Sequence, residues 1–282
     1  MPFKPREFLH EQRQKLHDRF VKGWKSQALF EFITFGIKQA WACLFGALML
    51  ALLLLTFFFY PASSPLPRYD FIALAAISIQ LLMLLFKLET FEEARIILVF
   101  HVVGTVMEIF KTQVGSWVYP EPAYLSIMGV PTFSGFMYAS VGSYIARVWR
   151  IFDFRFDSFP PLKWQALLAG LIYINFFSHH YIVDIRWALF AFSFALYGPG
   201  VIWFKADEKH RWMPLLLGMI LFALFIWFAE NIGTFARAWT YPSQKAGWHM
   251  VSIHKLGAWY LLMIISFVLV ACVHKPTKDL PQ

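Results

Sequence analysis

From residue 36 onward the chain alternates long apolar runs with short polar or proline-bearing connections. Read against the roughly 20 apolar residues that cross a bilayer as a helix, the runs fall at about 36–60, 70–87, 95–114, 127–149, 163–180, 184–204, 213–235 and 248–273. They are continuous, whereas barrel strands alternate over about ten residues. The pattern predicts an all-α polytopic membrane protein of about eight transmembrane helices. The longest internal connection, RVWRIFDFRFDSFPPLK at 147–163, reads as a solvated cytoplasmic elbow with internal Arg–Asp pairs. Holding an anionic headgroup is a second reading of it.

Basic residues orient the spans. Lys4, Arg6, Arg13, Lys15, Arg19, Lys22 and Lys25 precede the first run, and with the N-terminus inside, eighteen Lys and Arg fall on the cytoplasmic side against six outside. That excess places both termini in the cytoplasm. The net charge of +8 is thus a membrane-flank charge and gives no reason to invoke nucleic acid. Leu9, Leu16, Phe20 and Trp24 recur at near-helical spacing in the basic segment, which reads as an interfacial helix or a basic tail. No signal peptide is expected, since the basic region is long and no small-residue cleavage site follows the first run. With 59% hydrophobic and 15% charged residues, a soluble domain of this length is excluded. Cys43 and Cys272 form no CxxC motif and read as small buried apolar residues.

The chain also matches itself. At an offset of 122 residues, EIFKTQVGSWVYP (108–120) aligns without gaps to ENIGTFARAWTYP (230–242), both obeying E-x3-T-x4-W-x-Y-P, and the match continues through Met128/Met250, Gly135/Gly257 and Tyr138/Tyr260. Duplication predicts two parallel four-helix repeats about an axis along the membrane normal. The expected organisation is a cytoplasmic basic amphipathic segment at 1–30, a first repeat at 31–155, a second at 156–274 and a cytoplasmic tail at 275–282.

Candidate chemistry gathers at the extracytoplasmic ends. His101, Thr105, Glu108 and Thr112 share one helical stripe, and Ala223, Trp227, Glu230 and Thr234 share its counterpart. A polar seam of this kind must face protein or a water-filled cavity. Glu108 and Glu230 are the expected acid/base groups. Pairing with Lys111 and Arg237, as a lock between helices, is the alternative. Trp117, Tyr119, Trp239 and Tyr241 fall where aromatic belts lie, so they read as interfacial anchors or, for Tyr119 and Tyr241, as inward-pointing catalytic donors. Asn175, Asn231, Thr112, Thr234, Trp117, Trp239, Arg237 and Lys111 are candidate substrate contacts. His101, His179, His180, Asp184, His249 and His254 could supply a zinc or iron site, with His180 and Asp184 on one face if the helix is continuous there. His101 faces Ala223 across the repeat, and His249 and His254 face Ile127 and Thr132, which favours one asymmetric site over two equivalent ones. There is no P-loop, Rossmann glycine pattern or GxSxG elbow.

In EIFKTQVGSWVYPEP, GVPTFSGFMYASVGSYIARVWR and NFFSHHYIVDIRW the chain resembles the YoaT-like family of bacterial integral membrane proteins, a family of unassigned function. That resemblance implies a bacterial inner-membrane location over most of the chain. More distantly, a repeated membrane glutamate followed by Gly and Tyr is similar to carotenoid hydratases and membrane lycopene cyclases, where acidic groups protonate an isoprenoid double bond. The leading expectation is a lipid- or isoprenoid-modifying enzyme acting on a hydrophobic small molecule among membrane lipids. A proton-coupled transporter or lipid flippase is the second reading and a non-catalytic scaffold the third. The cytoplasmic ends of the spans lack matching polar residues in the sequence, which favours a one-sided site. Oligomeric state is left open.

Overall fold

The computed structural model describes residues 23–273. The basic stretch before Gly23 and the tail at 275–282 lie outside the described residues, so most of the expected interfacial segment does too.

Each of the eight apolar segments holds a helix, and a further helix begins ahead of the first segment and ends inside it. In chain order they are α1 (Trp24–Ala42), α2 (Leu44–Phe59), α3 (Arg68–Leu85), α4 (Phe91–Gln113), α5 (Phe133–Ile151), α6 (Leu162–Ser178), α7 (Arg186–Tyr197), α8 (Leu215–Phe235) and α9 (His254–Val273). By length and composition α3, α8 and α9 can cross a membrane, and α1 with α2 adds a fourth candidate bent by 66°. Outward-facing Leu55, Phe58, Leu81, Leu85, Leu98 and Phe225 are all more than half exposed. A protein in water rarely shows so continuous an apolar exterior; it is that of a membrane protein.

Several expectations are corrected. The first run does not continue through Cys43: α1 turns aside, where Lys38 Nζ donates to the Lys205 carbonyl at 2.7 Å and Glu31 pairs with Arg211. The sixth run supports only the 12-residue α7, about 18 Å long, because Gly198-Pro199-Gly200 stops the helix. The chain then enters an antiparallel sheet of β3 (Arg155–Asp157), β4 (Val201–Lys205) and β5 (His210–Pro214), in that order. The fourth and eighth runs become helical only at Phe133 and His254, and β1 (Ser126–Ile127) pairs with β2 (Val130–Pro131) before the first of these. The fold is therefore mostly helical, with two small sheets in its connections. Cys43 and Cys272 are free and exposed, not buried as their small apolar side chains led one to expect.

The 147–163 connection is not simply a solvated elbow. Arg147 is completely buried and pairs with Glu89 at 2.9 Å, while half-exposed Arg150 pairs with buried Glu93 at 2.9 Å. Glu89 also accepts from Ser143 Oγ at 2.8 Å and from Gln80. Glu93 closes the capping box of α4 with Thr90, the reciprocal bonding that satisfies two free helix-start donors. The Arg155–Asp153 pair is internal to the connection. This end of the bundle thus carries a buried polar cluster that the one-sided expectation did not include.

At the opposite end, α3 begins with a clamp. Arg68 donates to Glu121 at 2.8 Å and to the Ala236 carbonyl at 3.0 Å. Tyr69 Oη donates to the Arg237 carbonyl at 2.9 Å, and Asp70 accepts from the backbone of Tyr124 and Leu125. Three consecutive residues thereby fix the segments that follow α4 and α8. Both segments carry the Trp-x-Tyr-Pro motif.

Candidate functional site

α4 and α8 terminate alike. Gly115 N–H bonds the Thr112 carbonyl and Ser116 N–H the Lys111 carbonyl; Arg237 N–H bonds the Thr234 carbonyl and Ala238 N–H the Gly233 carbonyl. Gly115 (φ 73°) and Arg237 (φ 52°) both take the left-handed conformation that ends helices and suits glycine best. The turn sends each motif back beneath its helix. Val118 and Thr240 then exchange both backbone hydrogen bonds, at 3.0 and 2.9 Å.

Each returning tyrosine reaches the glutamate eleven residues before it. Tyr119 Oη donates to Glu108 Oε2 at 2.5 Å, and Tyr241 Oη donates to Glu230 Oε1. Glu108 further accepts from Trp117 Nε1 at 2.7 Å and Tyr138 Oη at 2.8 Å. Glu230 accepts from Trp259 Nε1. Both glutamates are buried, at 6% and 3% exposure, so burial among donors replaces the hydration they lose. The rings of Trp117 and Tyr241 meet edge to face, 6.0 Å between centroids, so a Glu108 donor touches a Glu230 donor.

These contacts separate the alternatives of the sequence. Tyr119 and Tyr241 point inward as donors; burial, then the adjacent glutamate, raises both phenols well above their ordinary value. Trp239 folds against the end of α8, where a side chain at Gly233 would collide with its ring. Neither glutamate is locked by the cation expected for it. The Lys111 ammonium donates to His180 Nε2 at 2.8 Å and lies 3.5 Å from His179 Nε2, and exposed Arg237 serves as the helix cap. Thr105, Thr234, Ala223 and Trp227 are buried, in keeping with a seam turned toward protein, and Thr112 is half-buried.

Other candidates do not gather. Among the described residues no three His, Cys, Asp or Glu side chains could hold a metal ion together. His101 lies two turns down α4 with its ring against Phe136. His249 contacts the Met250 and Ser243 carbonyls, and His254 is exposed at the start of α9. Because α6 ends at Ser178, His180 and Asp184 share no helical face. Asp184 instead accepts from Asn175, from the Arg186 backbone and from Arg186 Nε at 2.6 Å. Burial works against its ionised form, but these bonds and the Arg186 charge hold Asp184 below its ordinary range. Asn231 bonds the Val251 N–H at 2.8 Å and the Trp227 carbonyl; it orders the segment before α9.

Tyr138 and Trp259 were not singled out as site residues, although Tyr138 lies within the internal match. They stand on α5 and α9, next to the helices that carry the glutamates. Gly104 allows the α4–α5 approach, since a Cβ there would come within 2.5 Å of the Tyr138 ring. Tyr138 and Trp259 also line a narrow apolar groove with Met107, Val103, Ile226 and Leu262. A second, polar cavity of about 300 Å³ is bounded by Tyr241, Lys255, Ser116, Ser243 and Ser252.

Residues 31–267 match the family described as protein of unknown function (DUF817). The chain is 40% identical over 255 residues to the "Uncharacterized protein YoaT" of Bacillus subtilis (strain 168), covering 90% of this chain and 96% of that one. The chain belongs to this family, as its resemblance to YoaT-like proteins implied. No solved structure matches it. The likeness to carotenoid hydratases and lycopene cyclases finds no support in these comparisons.

Proposed function

We propose that this member of the DUF817 family is a bacterial inner-membrane protein of about eight crossings, built from two parallel four-helix repeats. Glu108 and Glu230 form its acid/base site for a hydrophobic, lipid-like substrate. Duplication is supported at the backbone level. α4 and α8 end 122 residues apart. Gly115 and Arg237, the two left-handed caps, keep the same offset. Val118 and Thr240, also 122 apart, bond to each other, as equivalent residues beside a two-fold axis do.

The observation that carries the functional reading is that Tyr138 and Trp259 each have two roles. Their polar atoms bond the glutamates, and their rings line the apolar groove. An apolar chain in that groove would lie against both acid/base assemblies. Buried ionisable groups at membrane depth are costly and mark functional sites, and a tyrosine bonded to a carboxylate can relay a proton. Cytoplasmic termini remain part of the proposal, on the strength of the basic-residue asymmetry.

Transport is the second reading, and the buried Glu89–Arg147–Ser143 cluster favours it by giving the other end of the bundle polar groups of its own. Lipid mass spectrometry on purified wild-type protein and on the Glu108→Gln/Glu230→Gln variant separates the two. The acid/base reading expects the variant to retain a species differing in mass from the one wild type retains, as substrate differs from product. Identical retained species, with proton-dependent uptake into proteoliposomes lost in the variant, would establish transport instead.

A further inference from the structure

We propose that the polar cavity over Tyr241 is the head-group subsite of an amphiphilic substrate, and that Lys255 is the cation that holds its anionic phosphate or carboxylate. The inference rests on the acid/base reading and names its substrate class.

Charge comes first. Lys255, at the start of α9, lines the cavity; its ammonium stands 4.4 Å from the centre of the Tyr241 ring and 5.9 Å from that of Trp117. Among the described residues no carboxylate lies within ion-pairing distance of it. Glu230, the acid near enough for its charge to be felt, accepts one bond at each oxygen, from Tyr241 and from Trp259. Lys111 and Arg186 stand near the same end, and their charges also act there. Asp184 pairs directly with Arg186. The open space of the cavity therefore faces an ammonium that makes no direct ion pair among the described residues.

Shape and lining come next. Ser116, Ser243 and Ser252 border the cavity beside Lys255. Hydroxyls grouped with an ammonium suit the several acceptor oxygens of a phosphate or carboxylate, because hydrogen bonds between ionised partners are the strong ones. A volume of about 300 Å³ is at the small end of ligand sites and accommodates a head group without its chains.

The reason for an amphiphile, and not a free ion, is what adjoins the cavity. Tyr241 forms its wall and bonds Glu230; on the far side of Glu230 is Trp259, which lines the apolar groove. The polar cavity and the apolar groove are thus separated by one glutamate and its two donors. A molecule with an anionic head in one and an apolar chain in the other would pass the carboxylate at the junction.

The test uses the full-length protein in a neutral maltoside detergent, with thermal unfolding followed as dioleoyl phosphatidic acid, dioleoyl phosphatidylcholine or inorganic phosphate is added. A ligand that binds the folded state raises the melting temperature by mass action. Wild type is expected to respond to phosphatidic acid at lower concentrations than to the other two. Lys255→Gln should raise its half-saturating concentration about tenfold, the scale of one lost charge-assisted bond, while Lys255→Arg stays near wild type. An equal response in Lys255→Gln would overturn the subsite. A response to inorganic phosphate as sensitive as that to the lipid would overturn the amphiphile and leave a free-oxyanion site. Repeating the titration with Glu108→Gln/Glu230→Gln separates the two proposals. Lysine-dependent binding that persists while the retained species are unchanged refutes the acid/base reading alone. Lysine-independent binding beside altered retained species refutes the head-group subsite alone.

Discussion

His180 shows how much a single residue's surroundings decide. Its i, i+4 spacing to Asp184 suggested a metal ligand, but the partner it finds is the Lys111 ammonium. Burial lowers its imidazole below the ordinary value of 6.5, and the charges of Lys111 and His179 lower it further. A histidine that resists protonation when folded, yet accepts it when unfolded, stabilises the fold above that ordinary value. The contribution is lost as pH falls from 6.5 toward the lowered value. Thermal unfolding in detergent between pH 8 and pH 5 should show wild type losing stability through this window, and His180→Gln, which cannot titrate there, losing less. Equal slopes in the two proteins would contradict the assigned contact. At this scale the sequence singled out Glu108, Glu230 and the motif tyrosines but not every partner they meet. Glu108 and Tyr119 were legible because one motif joins them. Tyr138 and Trp259 were not legible as partners, because each comes from a neighbouring helix.

Among the helices, the α4–α5 pair sets the site's precision. Gly104 lets the Tyr138 ring lie directly on α4, and Gly142 does the same for Phe100. Gly104→Ala should therefore force Tyr138 off Glu108. The expected loss is about 1–3 kcal/mol, the usual cost of overpacking a close contact, measured by denaturant or thermal unfolding in detergent. Gly170→Ala meets open space and should be nearly neutral, so a similar loss in both would count against the packing argument. Helix existence was legible from α2 onward, because eight apolar runs hold eight helices. Helix length was not. Gly198-Pro199-Gly200 cuts α7 short, and VIWFK, read as the end of a span, is strand β4. A continuous apolar run does not distinguish a buried strand from a helix end. The Glu89 cluster escaped notice because Glu89 lies in the connection between α3 and α4 and its partners lie on α3 and α5.

For the whole molecule, the two motif-bearing segments are joined in the middle and clamped from one side. Val118 and Thr240 join them, and Arg68, Tyr69 and Asp70 hold them against α3. Everything proposed about proton transfer, the groove and the head-group cavity depends on this convergence, since it brings Glu108 and Glu230 into one assembly. Because Val118 and Thr240 exchange two backbone bonds, their Cα atoms should stand about 5.5 Å apart, within disulfide reach. The most direct measurement is disulfide formation in Val118→Cys/Thr240→Cys, with Cys43 and Cys272 replaced by serine, read in native membranes by mass spectrometry of linked peptides. The account predicts near-complete linkage within single chains. Free thiols after oxidation, or linkage only between chains, would contradict it.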